Sequence, residues 1–107
     1  MKKLAMISQP MGGRTEQEIT TTRKRAIAEL ERRGYEVVNT LFTRNDEWFR
    51  EMTRRGVIQI PLSFLAESLR SMSLCHAVYF CHGWQDARGC RIEHDAAVAY
   101  GLEVIEE

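Results

Sequence analysis

Short apolar runs alternate with longer amphipathic stretches along this chain. "LAMIS" (Leu4 to Ser8) is bounded by the breaker-rich "QPMGGR", the pattern of a buried strand that feeds a tight loop. A helix follows. Thr15 with Glu18 three residues later is a capping box, Ile19, Ala26, Ile27 and Leu30 recur at helical spacing, and Gly34 supplies the stop. "YEVVNT" (Tyr35 to Thr40) reads as a second strand. From Asn45 to Arg55, Trp48, Phe49 and Met52 on one side of a charged segment predict a short amphipathic helix ending at Gly56. Pro61 suits the first turn of another helix, with Leu62, Leu65, Ala66, Leu69 and Met72 as its apolar face. "AVYFC" (Ala77 to Cys81) is the third strand. The next helix carries Ile92, Ala96, Ala99 and Tyr100 at helical spacing, and "EVI" (Glu103 to Ile105) after Gly101 is a last strand.

Strands alternating with helices imply right-handed crossovers and a parallel sheet covered on both faces. The expected fold is a small doubly wound α/β domain, flavodoxin-like or Rossmann-like. In the flavodoxin-like order the first and third strands meet at the switch point, and the loops leaving their carboxyl ends flank one ligand crevice. Those loops are "QPMGGR" and "HGWQDARG".

At 107 residues the chain supports one core and one domain. Its 15 basic and 15 acidic residues balance, so no net field recruits nucleic acid or an acidic membrane surface. No segment reaches the length of a membrane span, and three cysteines are too few for a disulfide scaffold. The expectation is a cytoplasmic protein with free thiols, no membrane or nucleic-acid partner and no cofactor.

Candidate chemistry concentrates at the two loops. "PMGGR" before a capped helix offers amides, a helix N-terminus and a guanidinium to an anion; the same Gly-Gly pair also suits a plain βα turn. Glu93 reads either as a solvated helix carboxylate favoured by the dipole, or as an acid held ionised at the crevice, a nucleophile or electrostatic stabiliser toward an oxocarbenium-like sugar carbon. Trp84 can stack on a nucleobase or cover the sheet edge. Arg23, Lys24, Arg25, Arg32 and Arg33 read as a solvated helix face. Cys75, His76, Cys81, His82, Cys90 and His94 cluster without a metal-ligand spacing, so no metal site is expected.

"LAMISQPMGGR" before a helix and "GWQDARGCRIEHDAAVAYGLEVI" near the end resemble the nucleoside 2-deoxyribosyltransferase-like superfamily, especially its small DUF4406 branch. The likeness covers nearly the whole chain, so residues 1–107 are expected to form one such domain. In that family a Gly stands four residues before a nucleophilic Glu, here Gly89 and Glu93. The related deoxynucleoside 5'-monophosphate N-hydrolases bind phosphate through a Gly-Gly-Arg that matches Gly12, Gly13 and Arg14. The resemblance implies cleavage or transfer at the N-glycosidic bond of a deoxynucleoside or its 5'-monophosphate. It implies Glu93 as nucleophile, and Ser8, Gln9, Gly12, Gly13, Arg14, Ser68, Trp84, Asp86 and Gly89 around the substrate. It also implies a homodimer or higher homo-oligomer whose sites borrow residues from a neighbour; Phe64, off the centre of its helix's apolar face, is placed at such a two-fold contact. Ala5 stands where the family's enzymes carry a Tyr, Ser68 where they carry a base-side acid, and Ala87 beside Asp86 where they have Asp or Ser. Those departures support an alternative, a catalytically silent nucleotide-binding module acting as sensor or sponge.

Overall fold

The computed structural model describes residues 2–38, 47–56 and 59–107. Its elements are β1 (Lys3–Ser8), α1 (Glu16–Arg32), β2 (Tyr35–Val37), α2 (Glu47–Arg54), α3 (Ile60–Met72), β3 (Ala77–Phe80), α4 (Arg88–Ala99) and β4 (Glu103–Glu106). A single 3-10 turn, Trp84–Asp86, precedes α4. The strands pair in the order β2-β1-β3-β4, and each pair is parallel. This is the expected small doubly wound α/β fold, with the switch point between β1 and β3, where Ser8 lies opposite Phe80. The second strand is three residues long rather than six, and Asn39 and Thr40 lie outside the described residues. Asn45, Val57, Ile58 and the side chains of Trp48 and Phe49 also lie outside them.

Local chemistry explains the element boundaries. Thr15 Oγ1 accepts the Glu18 amide at 3.1 Å while the Glu18 carboxylate accepts the Thr15 amide at 3.3 Å, so the capping box closes the start of α1. Gly34 ends that helix at φ 89°, a left-handed conformation that costs a side-chain-bearing residue about 1 kcal/mol.

Strand alternation then divides the core into two layers. Ala5, Ile7, Tyr79, Cys81 and Ile105 face Ala26 and Leu30 of α1. Met6, Val78 and Phe80 face Met72 of α3 and Ala97 of α4. Every residue of β3 is buried, as a central parallel strand requires.

Three expected faces differ. On α4 the buried residues are Cys90, Glu93 and Ala97, whereas Ile92 is 41% and Tyr100 85% exposed. The helix is therefore rotated from the stripe expected at Ile92, Ala96, Ala99 and Tyr100, and of those only Ala96 packs against the core. On α3, Leu65 and Leu69 are half-buried and Met72 is buried, but Ala66 is exposed and Leu62 is 59% exposed. Arg23, expected on the solvated face of α1, is only 9% exposed, and burial lowers its pKa. Its long aliphatic stem lets a basic residue lie along an apolar layer. Among the described residues no helix is long and apolar enough to cross a membrane, and Cys75, Cys81 and Cys90 are free thiols.

Candidate functional site

The carboxyl ends of β1 and β3 open into a crevice of about 780 Å³. One side is the β1 loop, with Gln9, Pro10, Met11, Gly12 and Arg14; the other is the β3 loop and the start of α4, with Gly83, Asp86 to Cys90 and Glu93. Pro61, Phe64, Leu65 and Ser68 of α3 form an amphipathic third wall. The two loops touch directly. Arg14 Nη2 lies 2.9 Å from where a Cβ on Gly83 would stand, and Gly83 has φ 89°. The left-handed backbone favours glycine there, and any side chain would also push the Arg14 guanidinium aside.

Glu93 lies at the bottom of this crevice. It is the sixth residue of α4, beyond the first turn where the dipole acts, and only 8% exposed. Burial raises its pKa to about 7, opposed by Ser8. This corrects the expectation of a carboxylate held ionised by the helix N-terminus: desolvation dominates, and near neutral pH both protonation states are populated. Ser8 Oγ faces both Glu93 and Cys90 closely enough to favour their charged forms, yet at no regular hydrogen-bonding geometry, and it is left without a partner. Gln9 is fixed by its Nε2, which donates to the Ile19 carbonyl at 2.7 Å, and its Oε1 is buried and unpartnered. Gly89 lies beside the carboxylate: a Cβ there would stand 3.9 Å from Glu93 Oε1, an ordinary contact distance.

Above this floor the rim is cationic. The side chains of Arg14 and Arg88 line it and make no ion pair among the described residues. Ala87 precedes α4 without a side-chain cap, so the first amides of the helix, from Arg88, Gly89 and Cys90, carry the unsatisfied donors of a helix start. These residues line the same crevice. At the start of α1 the capping box occupies the Thr15 and Glu18 amides, while Gly12 and Arg14 of the Gly-Gly-Arg loop line the crevice.

Of the sequence-derived site residues, Gln9, Gly12, Arg14, Ser68, Asp86, Gly89 and Glu93 line the crevice, and Ser8 lies directly beneath it. Gly13 does not line it and serves the turn, at φ 74°. Trp84 is also elsewhere: its ring stacks on His94 at 4.0 Å and 8° and lies 5.5 Å from Phe80, covering the core. Phe64, placed by sequence at a two-fold contact, is a wall of the crevice in the single chain. Sequence reasoning missed Met11, Arg88 and Cys90. Cys90 stands three residues before Glu93, the spacing that puts both on one helix face. Burial raises its thiol pKa, so it is a neutral wall rather than a nucleophile. Among the described residues no group of three or more His, Cys, Asp or Glu is placed to hold a metal ion.

A family model described as Domain of unknown function (DUF4406) matches residues 3–106. No curated protein and no solved structure matches the chain.

Proposed function

The chain belongs to the DUF4406 family, and from the chemistry of its crevice we propose that it cleaves or transfers the N-glycosidic bond of a deoxynucleoside or deoxynucleoside 5'-monophosphate. The observation that carries this reading is Glu93: a buried carboxylate, raised to about 7, at the switch-point crevice and beneath a rim with two guanidiniums. In this reading Arg14, Arg88 and the uncapped amides of α4 hold the phosphate, and Phe64, Leu65 and Met11 pack against the base or sugar. Ionised Glu93 attacks C1', the C1'–N bond breaks, and its electron pair leaves with the base, which takes up a proton. Water, or a second base, then displaces the glycosyl ester and returns the carboxylate. The resemblance to nucleoside 2-deoxyribosyltransferases noted above points the same way.

Release of free base from a panel of deoxynucleosides and their 5'-monophosphates tests the proposal. Wild type releases base and Glu93→Ala does not; equal behaviour of the two across the panel refutes the catalytic role. Because the attacking form is the carboxylate, the rate rises about tenfold per pH unit up to about 7 and then levels off.

A second reading rests on Ser68, which lines the α3 wall of the crevice and which the resemblance matches to the position of a base-side acid. Without a proton donor, departure of the base slows by about 10²- to 10⁴-fold, and the chain is then a nucleotide-binding module. It binds deoxynucleotides without turnover, loses binding on Arg14→Ala and tolerates Glu93→Gln. Either reading includes a homo-oligomer, as the family resemblance implies, and Leu62, 59% exposed on α3, is a position at which to probe it. Light scattering at micromolar concentration tests it: a mass of one chain rejects the oligomer, and dissociation by Leu62→Glu supports it.

A further inference from the structure

Two adjacent acids at the far edge of the sheet converge on the loop that carries half of the crevice. β4 ends at Glu106, and Glu107 continues it, its amide donating to the Phe80 carbonyl at 2.9 Å. Because side chains alternate across a strand, the two carboxylates leave on opposite faces of the sheet. Glu106 turns toward α4, where its Oε1 lies 2.9 Å from His94 Nε2. The His94 ring is stacked on Trp84, and both rings pack against Phe80. Glu107 turns toward α1. It receives both Arg25 Nε and Nη2, at 2.9 and 2.8 Å, the Tyr79 hydroxyl at 3.0 Å and the backbone amide of His82 at 2.9 Å.

His82 and Trp84 bracket Gly83, the residue on which Arg14 rests. From there the chain runs through the 3-10 turn to Asp86, Ala87 and Arg88, all on the crevice wall. We propose that Glu106 and Glu107 are positioning residues for the crevice, gripping its β3 loop from the two faces of the sheet: Glu106 through His94 and Trp84, Glu107 through the His82 amide. Neither acid lines the crevice. The bonds are built for that duty. Glu107 ties α1, β3 and the loop to one carboxylate, and Arg25 engages it with two parallel N–H donors, an arrangement that fixes orientation as well as distance. On the other face, a ring stacked at 8° on a tryptophan transmits a constraint on His94 to the first residue of the 3-10 turn. The residues so held place Gly83 under Arg14, so the separation of the two loops follows from contacts made outside the site.

This inference rests on the crevice being the functional site, but its test does not need a ligand. Amide hydrogen exchange is measured on wild type, Glu106→Ala, Glu107→Ala and the corresponding Gln variants, with global stability from urea unfolding of each. In the Ala variants the amides of His82, Trp84, Asp86 and Ala87 exchange on the order of tenfold faster than any global loss accounts for, while those of Met6, Ile7 and Leu30 follow global stability alone. The Gln variants, which retain an acceptor oxygen, recover most of that protection. Faster exchange spread uniformly over the protein, or a loop no faster than wild type, overturns the proposal. Deoxynucleoside 5'-monophosphate titrations of the same proteins then separate the two claims. A wild type that binds none of them removes the proposed function and leaves the exchange result to decide the clamp. Binding that is equal in wild type and in Ala variants with a loosened loop overturns the positioning role alone.

Discussion

Replacing Glu93 by Gln isolates the energetic cost of keeping a carboxylate in the crevice. Glu93 is 8% exposed, and its pKa rises from 4.5 to about 7 because burial disfavours the charged form. The folded state therefore holds the proton more tightly than the unfolded chain. Stability linked to this group is fully present below pH 4.5 and is lost as pH rises to about 7, above which the loss is constant. A displacement of about 2.5 pH units corresponds to about 3 kcal/mol, a large fraction of the stability of a domain this size. Glutamine has the shape of the protonated acid and does not titrate. The stability of Glu93→Gln relative to wild type is thus expected to grow by about 3 kcal/mol between pH 4 and pH 8, which is roughly 13 °C in Tm. Urea unfolding of both proteins across that range measures it, and the other titrating groups, common to both chains, cancel in the difference. A difference that does not change with pH, or that shrinks as pH rises, refutes the assignment of a desolvated carboxylate. In the proposed reaction the same substitution removes the attacking oxygen. The variant is expected to be more stable at pH 8 and inactive, the trade that a strained functional group imposes.

Arg14→Ala is expected to weaken binding of a deoxynucleoside 5'-monophosphate by about tenfold or more and to leave the unphosphorylated nucleoside nearly unaffected, as calorimetry of both ligands would reveal. Gly83→Ala meets a left-handed backbone and Arg14 Nη2 at 2.9 Å, so unfolding experiments should show a loss of about 1–2 kcal/mol, with nucleotide affinity falling as the guanidinium is displaced. Leu30→Ala opens a cavity under α1 in a fully buried position and should cost about 2–5 kcal/mol in urea unfolding, with m unchanged. Glu107 behaves oppositely to Glu93. Arg25 holds its pKa down to about 2, so its contribution is present at neutral pH and is lost as pH falls from 4.5 toward 2; Glu107→Gln should flatten that part of the acid-unfolding curve.

The fold was legible because each element carried its own local signal. Thr15 and Glu18 fix where α1 begins, Gly34 where it ends, and "AVYFC" admits no surface reading, so a parallel sheet with its switch point between β1 and β3 follows. Most of the crevice follows from the fold, since the residues after β1 and β3 have to meet there. Trp84 was less legible. Its sequence position beside Gly83 is the same whether its ring turns into the crevice or onto His94, and the choice belongs to α4, whose rotation sequence spacing alone does not determine.

That rotation is also why the state of Glu93 escaped the sequence. Ile92, Ala96, Ala99 and Tyr100 satisfy helical periodicity as well as Cys90, Glu93 and Ala97 do, and they win on apolar character. Hydropathy patterns assume that a core-facing stripe contains nothing expensive to desolvate. Here the inward stripe includes a carboxylate, so the true phase of α4 scores worse than the false one. Covering Ile92 and Tyr100 instead would gain apolar burial, yet it would turn Glu93 out of the crevice and away from Ser8. The fold keeps the costlier rotation because the strands fix where α4 lies: Ala97 packs against the sheet beside Phe80, and Leu102 returns its amide to the Ala97 carbonyl at 2.9 Å to start β4. A local rule broken at one residue, held in place by packing on either side of it, is the pattern expected where chemistry rather than stability determines the side chain.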